Sequence, residues 1–153
     1  MKPNPALAGL TPLVGDWVME LHRASFLPDP ETKLTGTVAI DWTEGGAAMV
    51  MRQGDREHPQ SATWIIGRDE SDTGYRVMYA DGRGVSRIYD MSFDWPQWRM
   101  WRATADFSQR YEATIDDDGL VVRGYWQKSF DAGTTWEHDF NIDYVRVRPP
   151  EGP

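Results

Sequence analysis

Cysteine is absent from the 153 residues, and with it go disulfides, thiolate zinc sites, iron–sulfur clusters and thiol nucleophiles. Nowhere do 18 apolar residues run consecutively, so no stretch reads as a membrane-spanning helix. The opening residues, Met1-Lys2-Pro3-Asn4-Pro5-Ala6-Leu7-Ala8, lack the apolar core of a signal peptide. Positive charge is scarce: 16 Lys plus Arg against 24 Asp plus Glu leave a net charge of −8. That balance opposes the counterion release that drives binding to nucleic acid or anionic lipid. These absences predict a cytoplasmic protein with neither nucleic-acid nor membrane partners. The length suits a single domain, 1–148, followed by a disordered tail, 149–153.

What is present is aromatic and alternating. Eight Trp, six Tyr and five Phe supply either the core of a β-protein or the lining of a small-molecule pocket. Asn4 and Pro5 offer an N-cap and a first-position proline for one or two turns of helix, which Thr11-Pro12 should stop. In the first strand, 14–22, period-2 alternation places Trp17, Met19 and Leu21 on one face and Asp16, Val18, Glu20 and His22 on the other. Residues 23–34, with Pro28 and Pro30, form a loop long enough to act as a lid, and Phe26 and Leu27 are its apolar residues. Alternating runs follow at 37–43, 47–53, 61–68, 75–80, 84–93, 97–105, 108–115, 120–128 and 135–147, separated by turns such as Asp81-Gly82 and Asp118-Gly119. Asp-Gly between such runs signals a hairpin, because both residues tolerate positive φ. About ten sequential strands without crossover helices remove their edges best by closing. The expected fold is therefore all-β, a single antiparallel up-and-down barrel with a short N-terminal helix; a two-sheet sandwich is the alternative.

Gly15-Asp16-Trp17 at the start of the first strand and Arg146 on the last resemble the calycin superfamily of lipocalins and fatty-acid-binding proteins. The resemblance implies that Trp17 closes one barrel end and that Arg146 lies over its indole. Over residues 7–148 the chain is similar to a bacterial family of lipocalin-like proteins of unknown function, through segments such as Trp64-Ile65-Ile66-Gly67-Arg68-Asp69 and Trp136-Glu137-His138-Asp139-Phe140. Nitrobindins, haem-binding relatives with a ten-strand barrel, hold iron through a histidine near the final strand. His138 invites that comparison, but Val18-Met19-Glu20 stand where nitrobindins carry glycines, and Asp139 rather than His138 aligns nearest the ligand position. Haem thus enters as the lesser alternative to a protein without a cofactor.

Continuing the alternation from Trp17 and Arg146 predicts that Trp136, His138, Phe140, Ile142 and Tyr144 face inward on the last strand and that Asp139 faces water. The same parity turns Tyr75, Val77, Tyr79, Arg87, Tyr89, Met91, Trp98, Met100, Arg102, Val122 and Trp126 inward. An inward guanidinium is costly without an acid or an anionic ligand, and its planar fork suits a carboxylate. The expected ligand-binding residues are Tyr79, Arg87, Tyr89, Trp98, Arg102, Trp126, Trp136, His138 and Phe140. They would hold a small hydrophobic or aromatic molecule, with or without a carboxylate. His138 and Tyr144 are the candidate acid–base pair of the alternative, a cofactor-independent lyase or isomerase.

Other motifs read as structure. Glu20 and His22 share an outward face, a weak metal pair, and His58 sits in a polar loop. Ser129-Phe130-Asp131-Ala132-Gly133-Thr134-Thr135-Trp136 matches an Asp-box, a hairpin staple. Asp116-Asp117-Asp118-Gly119 reads as a solvated tight turn rather than a calcium loop. Trp101, on the outward parity, suggests a homodimer contact.

Overall fold

The computed structural model describes residues 3–54 and 62–147; His58 and the tail 149–153 lie outside them. The predicted runs become ten strands: β1 (Gly15–His22), β2 (Leu34–Thr43), β3 (Ala48–Gly54), β4 (Ala62–Gly67), β5 (Tyr75–Asp81), β6 (Ser86–Asp94), β7 (Gln97–Arg102), β8 (Ser108–Ile115), β9 (Val121–Ser129) and β10 (Glu137–Arg146). Each pairs antiparallel with its sequence neighbours, and β1 closes on β10 through Trp17 opposite Arg146, Met19 opposite Tyr144 and Leu21 opposite Ile142. The closed ring excludes the sandwich and is compatible with a calycin-like barrel. Within β2 the alternation is complete: Gly36, Val38, Ile40 and Trp42 are buried while the residues between them face out. No helix among the described residues is long and apolar enough to cross a membrane.

The N-terminal helix is a 3₁₀ helix, Pro5–Leu13, running past Thr11-Pro12, and the Asn4 side chain caps it by accepting from the Ala6 amide at 3.0 Å. With three residues per turn, Leu7, Leu10 and Leu13 fall on one face, and all three are buried in the barrel end. Beneath them Trp17 is 1% exposed and donates from Nε1 to the Leu13 carbonyl at 3.0 Å. The Arg146 guanidinium lies 4.1 Å from the indole centre and donates to the carbonyls of Pro12, Val14 and Gly119. Gly15, at φ +144°, admits this stack: a Cβ there would collide with Arg146 Nη1. One end of the barrel is thereby filled.

The strand that closes the ring breaks its own alternation near the other end. Between His138 and Phe140 the β9–β10 register shifts by one residue, a bulge in which the extra residue is Asp139. Such an insertion inverts the facing of everything before it. Phe140, Ile142 and Tyr144 face inward as expected, but Asp139 turns in, 7% exposed, and His138 turns out. Trp136 likewise lies outside the barrel, against the Asp-box turn and under the Arg110 guanidinium at 4.1 Å. The inward positions expected for His138 and Trp136, and the outward one for Asp139, are corrected by this single residue.

Candidate functional site

At the end opposite Trp17 the barrel is hollow. A cavity of about 440 Å³ runs in from the mouth, its walls formed by Met19, Leu21, Trp64, Tyr79, Tyr89, Trp126, Phe140, Ile142 and Tyr144. Its aromatic rings lean on one another: Trp64 and Tyr79 meet edge to face at 4.6 Å, Tyr89 and Trp126 at 5.5 Å. Such offset and edge-on contacts fix ring orientations, so the wall is shaped without a ligand. Phe26 of the β1–β2 loop reaches the mouth and meets Phe140 edge-on at 6.0 Å. Its loop is strapped to the bulge: Ser25 donates its amide to the Asp139 carbonyl and its hydroxyl to the Asp139 carboxylate, and Lys128 Nζ sits 3.5 Å from that carboxylate.

Several polar groups interrupt the apolar lining, Arg83, Arg87 and Asp139 among them. The Gln53 amide accepts from Trp64 Nε1 at 2.8 Å and donates to the Tyr144 hydroxyl at 3.2 Å. Tyr89 donates its hydroxyl to Gln109 at 2.7 Å. Tyr79 donates to the Asp81 carboxylate at 2.6 Å, which also takes the Arg83 fork. Burial, then the hydrogen bond to Asp81, raises the Tyr79 phenol to about 12. Burial also raises Tyr144 well above the ordinary range. For Tyr89 burial raises it as well, opposed by the guanidiniums of Arg87 and Arg102. A neutral phenol at each of these positions is a hydrogen-bonding group rather than a base near neutrality.

Of the residues expected at the site, Tyr79, Arg87, Tyr89, Trp126 and Phe140 line the cavity, with Tyr144 deeper on its wall. Arg102 lines a recess of about 460 Å³ on the rim that shares Arg87 and Tyr89 with the cavity. Trp98 faces inward but is buried against Tyr111 and Tyr144 without lining the cavity. Trp136 and His138 stand outside; His138 Nε2 lies 3.2 Å from the Arg23 carbonyl. Gln53, Trp64, Gln109 and Asp139 line the cavity beyond the expected set. Alternation held a signal for two of them, since Met49, Met51 and Gln53 share a face, as do Trp64 and Ile66. Asp139 had none, because a bulge leaves no mark in composition.

The exposed His138 ring, bonded to a loop carbonyl, does not fit an axial haem ligand reaching into the barrel. On the outer wall His22 Nε2 lies 3.1 Å from Asp143, with Glu20 beside them and Lys33 3.6 Å from Glu20. Those groups are partnered with one another on the outer wall, away from the cavity. Asp116 to Gly119 forms the expected tight turn, closed by the Gly119 amide on the Asp116 carbonyl, with Arg123 on the Asp116 carboxylate. Fold and site together describe an antiparallel barrel plugged at one end and hollow at the other. No family model matches the chain, and no curated protein matches it.

Proposed function

We propose that the protein binds a small hydrophobic or aromatic molecule in the mouth cavity, as a member of the calycin superfamily. The observation that carries this is the 440 Å³ cavity walled by Trp64, Tyr79, Tyr89, Trp126 and Phe140, with only a few polar groups set among them. Concave, mostly apolar sites with a few fixed polar groups are the usual form of small-molecule pockets. A cytoplasmic location and a lack of nucleic-acid or membrane partners accord with the charge of −8. Trp101, 40% exposed on the outer wall, supports a homodimer contact. The test is calorimetric titration with small aromatic molecules. Binding should disappear when Leu21→Trp fills the cavity while thermal unfolding stays cooperative. Absence of binding across neutral and acidic aromatics alike would end the proposal.

A second function, a cofactor-independent enzyme in the same cavity, draws support from the bulge. Bulges near active sites re-aim side chains, and here Asp139 replaces His138 as the inward titratable group. Its sign would be turnover that Asp139→Asn abolishes without loss of ligand affinity, and retention of turnover in that variant would exclude it.

A further inference from the structure

Among the described residues, most cations are either engaged or, like Arg23 and Arg52, exposed to solvent. Lys33 has Glu20, Arg76 has Asp90 at 3.0 Å, Arg83 has Asp81 at 2.7 Å, Arg99 has Glu112, Arg123 has Asp116 and Lys128 has Asp139. Arg68 and Arg146 donate to backbone carbonyls, and Arg110 donates to Gln127. Arg87 and Arg102 differ. Both are half-buried, and among the described residues neither has a carboxylate within ion-pair distance; Arg87 faces the Tyr89 hydroxyl and overlies the Phe107 ring at 5.1 Å. In a protein of net charge −8, two half-buried guanidiniums without an acid are conspicuous, because desolvated charge is costly unless compensated.

Their placement is convergent. Both line the rim recess of about 460 Å³, where Asp90 is already held by Arg76. Arg102 is in register with Gln109, whose amide oxygen accepts the Tyr89 hydroxyl, and Tyr89 is shared between recess and cavity. Arg87 is shared in the same way. A group seated between the two guanidiniums therefore leaves whatever is attached to it beside the aromatic wall.

We infer that Arg87 and Arg102 form an oxyanion site, which takes the carboxylate, phosphate or sulfonate of a molecule whose aromatic body occupies the barrel cavity; this rests on the binding function proposed above. Two planar forks of donors match the several oxygens of such an anion, and charge-assisted bonds of this kind are the strong ones. The site lies on β6 and β7 at the open rim, far along the barrel from Arg146, whose donors are consumed by carbonyls.

Calorimetry with four naphthalene probes of one body size tests the inference: 1-naphthoate, 1-naphthyl phosphate, 1-naphthalenesulfonate and the neutral 1-naphthalenemethanol. At least one anion should bind about tenfold or more tightly than the alcohol. Arg87→Met and Arg102→Met should each remove most of that advantage, and Arg102→Met, at a residue outside the cavity lining, should leave the alcohol's affinity intact, with unchanged thermal midpoints certifying the fold. Arg87→Lys, which keeps the charge and loses the fork, should restore only part of it. The ranking of the three anions identifies which oxyanion the site prefers. If the alcohol binds as tightly as every anion, or the advantage survives in the double Met variant, the oxyanion site is refuted and the cavity proposal stands. If no naphthyl probe binds but inorganic phosphate shifts the Nε–Hε resonances of Arg87 and Arg102, the cavity proposal is refuted and the oxyanion site stands. If neither occurs, both are refuted.

Discussion

The two ends of the barrel are built from the same ten strands and solve opposite problems. At the plugged end a row of leucines at 3₁₀ spacing covers Trp17, and the three carbonyls around Arg146 absorb its donors. At the mouth, rings hold one another apart, a bulge brings a carboxylate inside, and Arg87 and Arg102 are left without acids among the described residues. The contrast separates two uses of one residue type. An arginine whose donors end on main-chain carbonyls belongs to the fold, whereas an arginine over an open recess is available to something that is not part of the chain.

If that division holds, substitutions at the plug should act on stability and substitutions at the rim on binding. Trp17→Ala should have the largest effect, lowering unfolding free energy by about 3–5 kcal/mol in urea titrations, the usual cost of emptying a buried aromatic site. The affinity of the folded fraction for 1-naphthoate should not move, since distant sites act independently. Arg146→Met should follow at about 2–3 kcal/mol, from the loss of charged hydrogen bonds to carbonyls that then lie unpaired. Arg102→Met, by contrast, should change stability by less than about 0.5 kcal/mol. A rim loss as large as that of Arg146 would show Arg102 to be structural and would erase the distinction.

Between plug and mouth lies a layer whose energetics run the other way. Trp98 Nε1 and the Tyr111 hydroxyl are buried with no hydrogen-bond partner among the described residues, and burial holds the Tyr111 phenol far above its ordinary range. An unsatisfied buried hydroxyl costs free energy that its removal returns. Tyr111→Phe should therefore raise stability by about 1 kcal/mol, measured by the same titrations. A loss of that size would reveal a partner for the hydroxyl and extend the plug's satisfied packing to mid-barrel.

How much of this could be read from residues alone depended on whether the pattern was local. Alternation along β2 and Asp-Gly turns specify strands and hairpins, whereas the plug of Trp17 and Arg146 was implied only by the resemblance that Gly15-Asp16-Trp17 and Arg146 carry. The mouth was harder. Parity correctly put Tyr79, Tyr89 and Trp126 inside, but Trp98 has the same parity and is sealed against Tyr111, because depth along a barrel is not encoded in alternation. His138 and Trp136 failed for a sharper reason: one unpaired residue at Asp139 inverts the parity of everything before it, and neither Asp139 nor its neighbours differ in kind from an ordinary strand. Gln53 and Trp64 obey the rule, sharing inward faces with Met51 on β3 and Ile66 on β4.

The smallest expected effect concerns the turn that launches the bulged strand. Asp131 accepts from the Ser129 hydroxyl and from the Thr135 amide and hydroxyl, and Thr135, through its hydroxyl first and its amide next, lowers the carboxyl from 3.8 to about 2. A folded-state value below the unfolded one means that the unfolded chain binds more protons as pH falls. The contribution of Asp131 is therefore complete above pH 3.8 and is lost as pH drops through about 2. Asp131→Ala should weaken the protein slightly near neutrality, and the gap between variant and wild type in urea midpoint should narrow on acidification across that window. Because the turn sits at the mouth, hydrogen exchange in the variant should quicken at the amides of Glu137 to Phe140 and stay unchanged at those of Asp16 to Val18. Equal acceleration at both ends would mean that plug and mouth unfold as one unit, and the independence argued for them would fail.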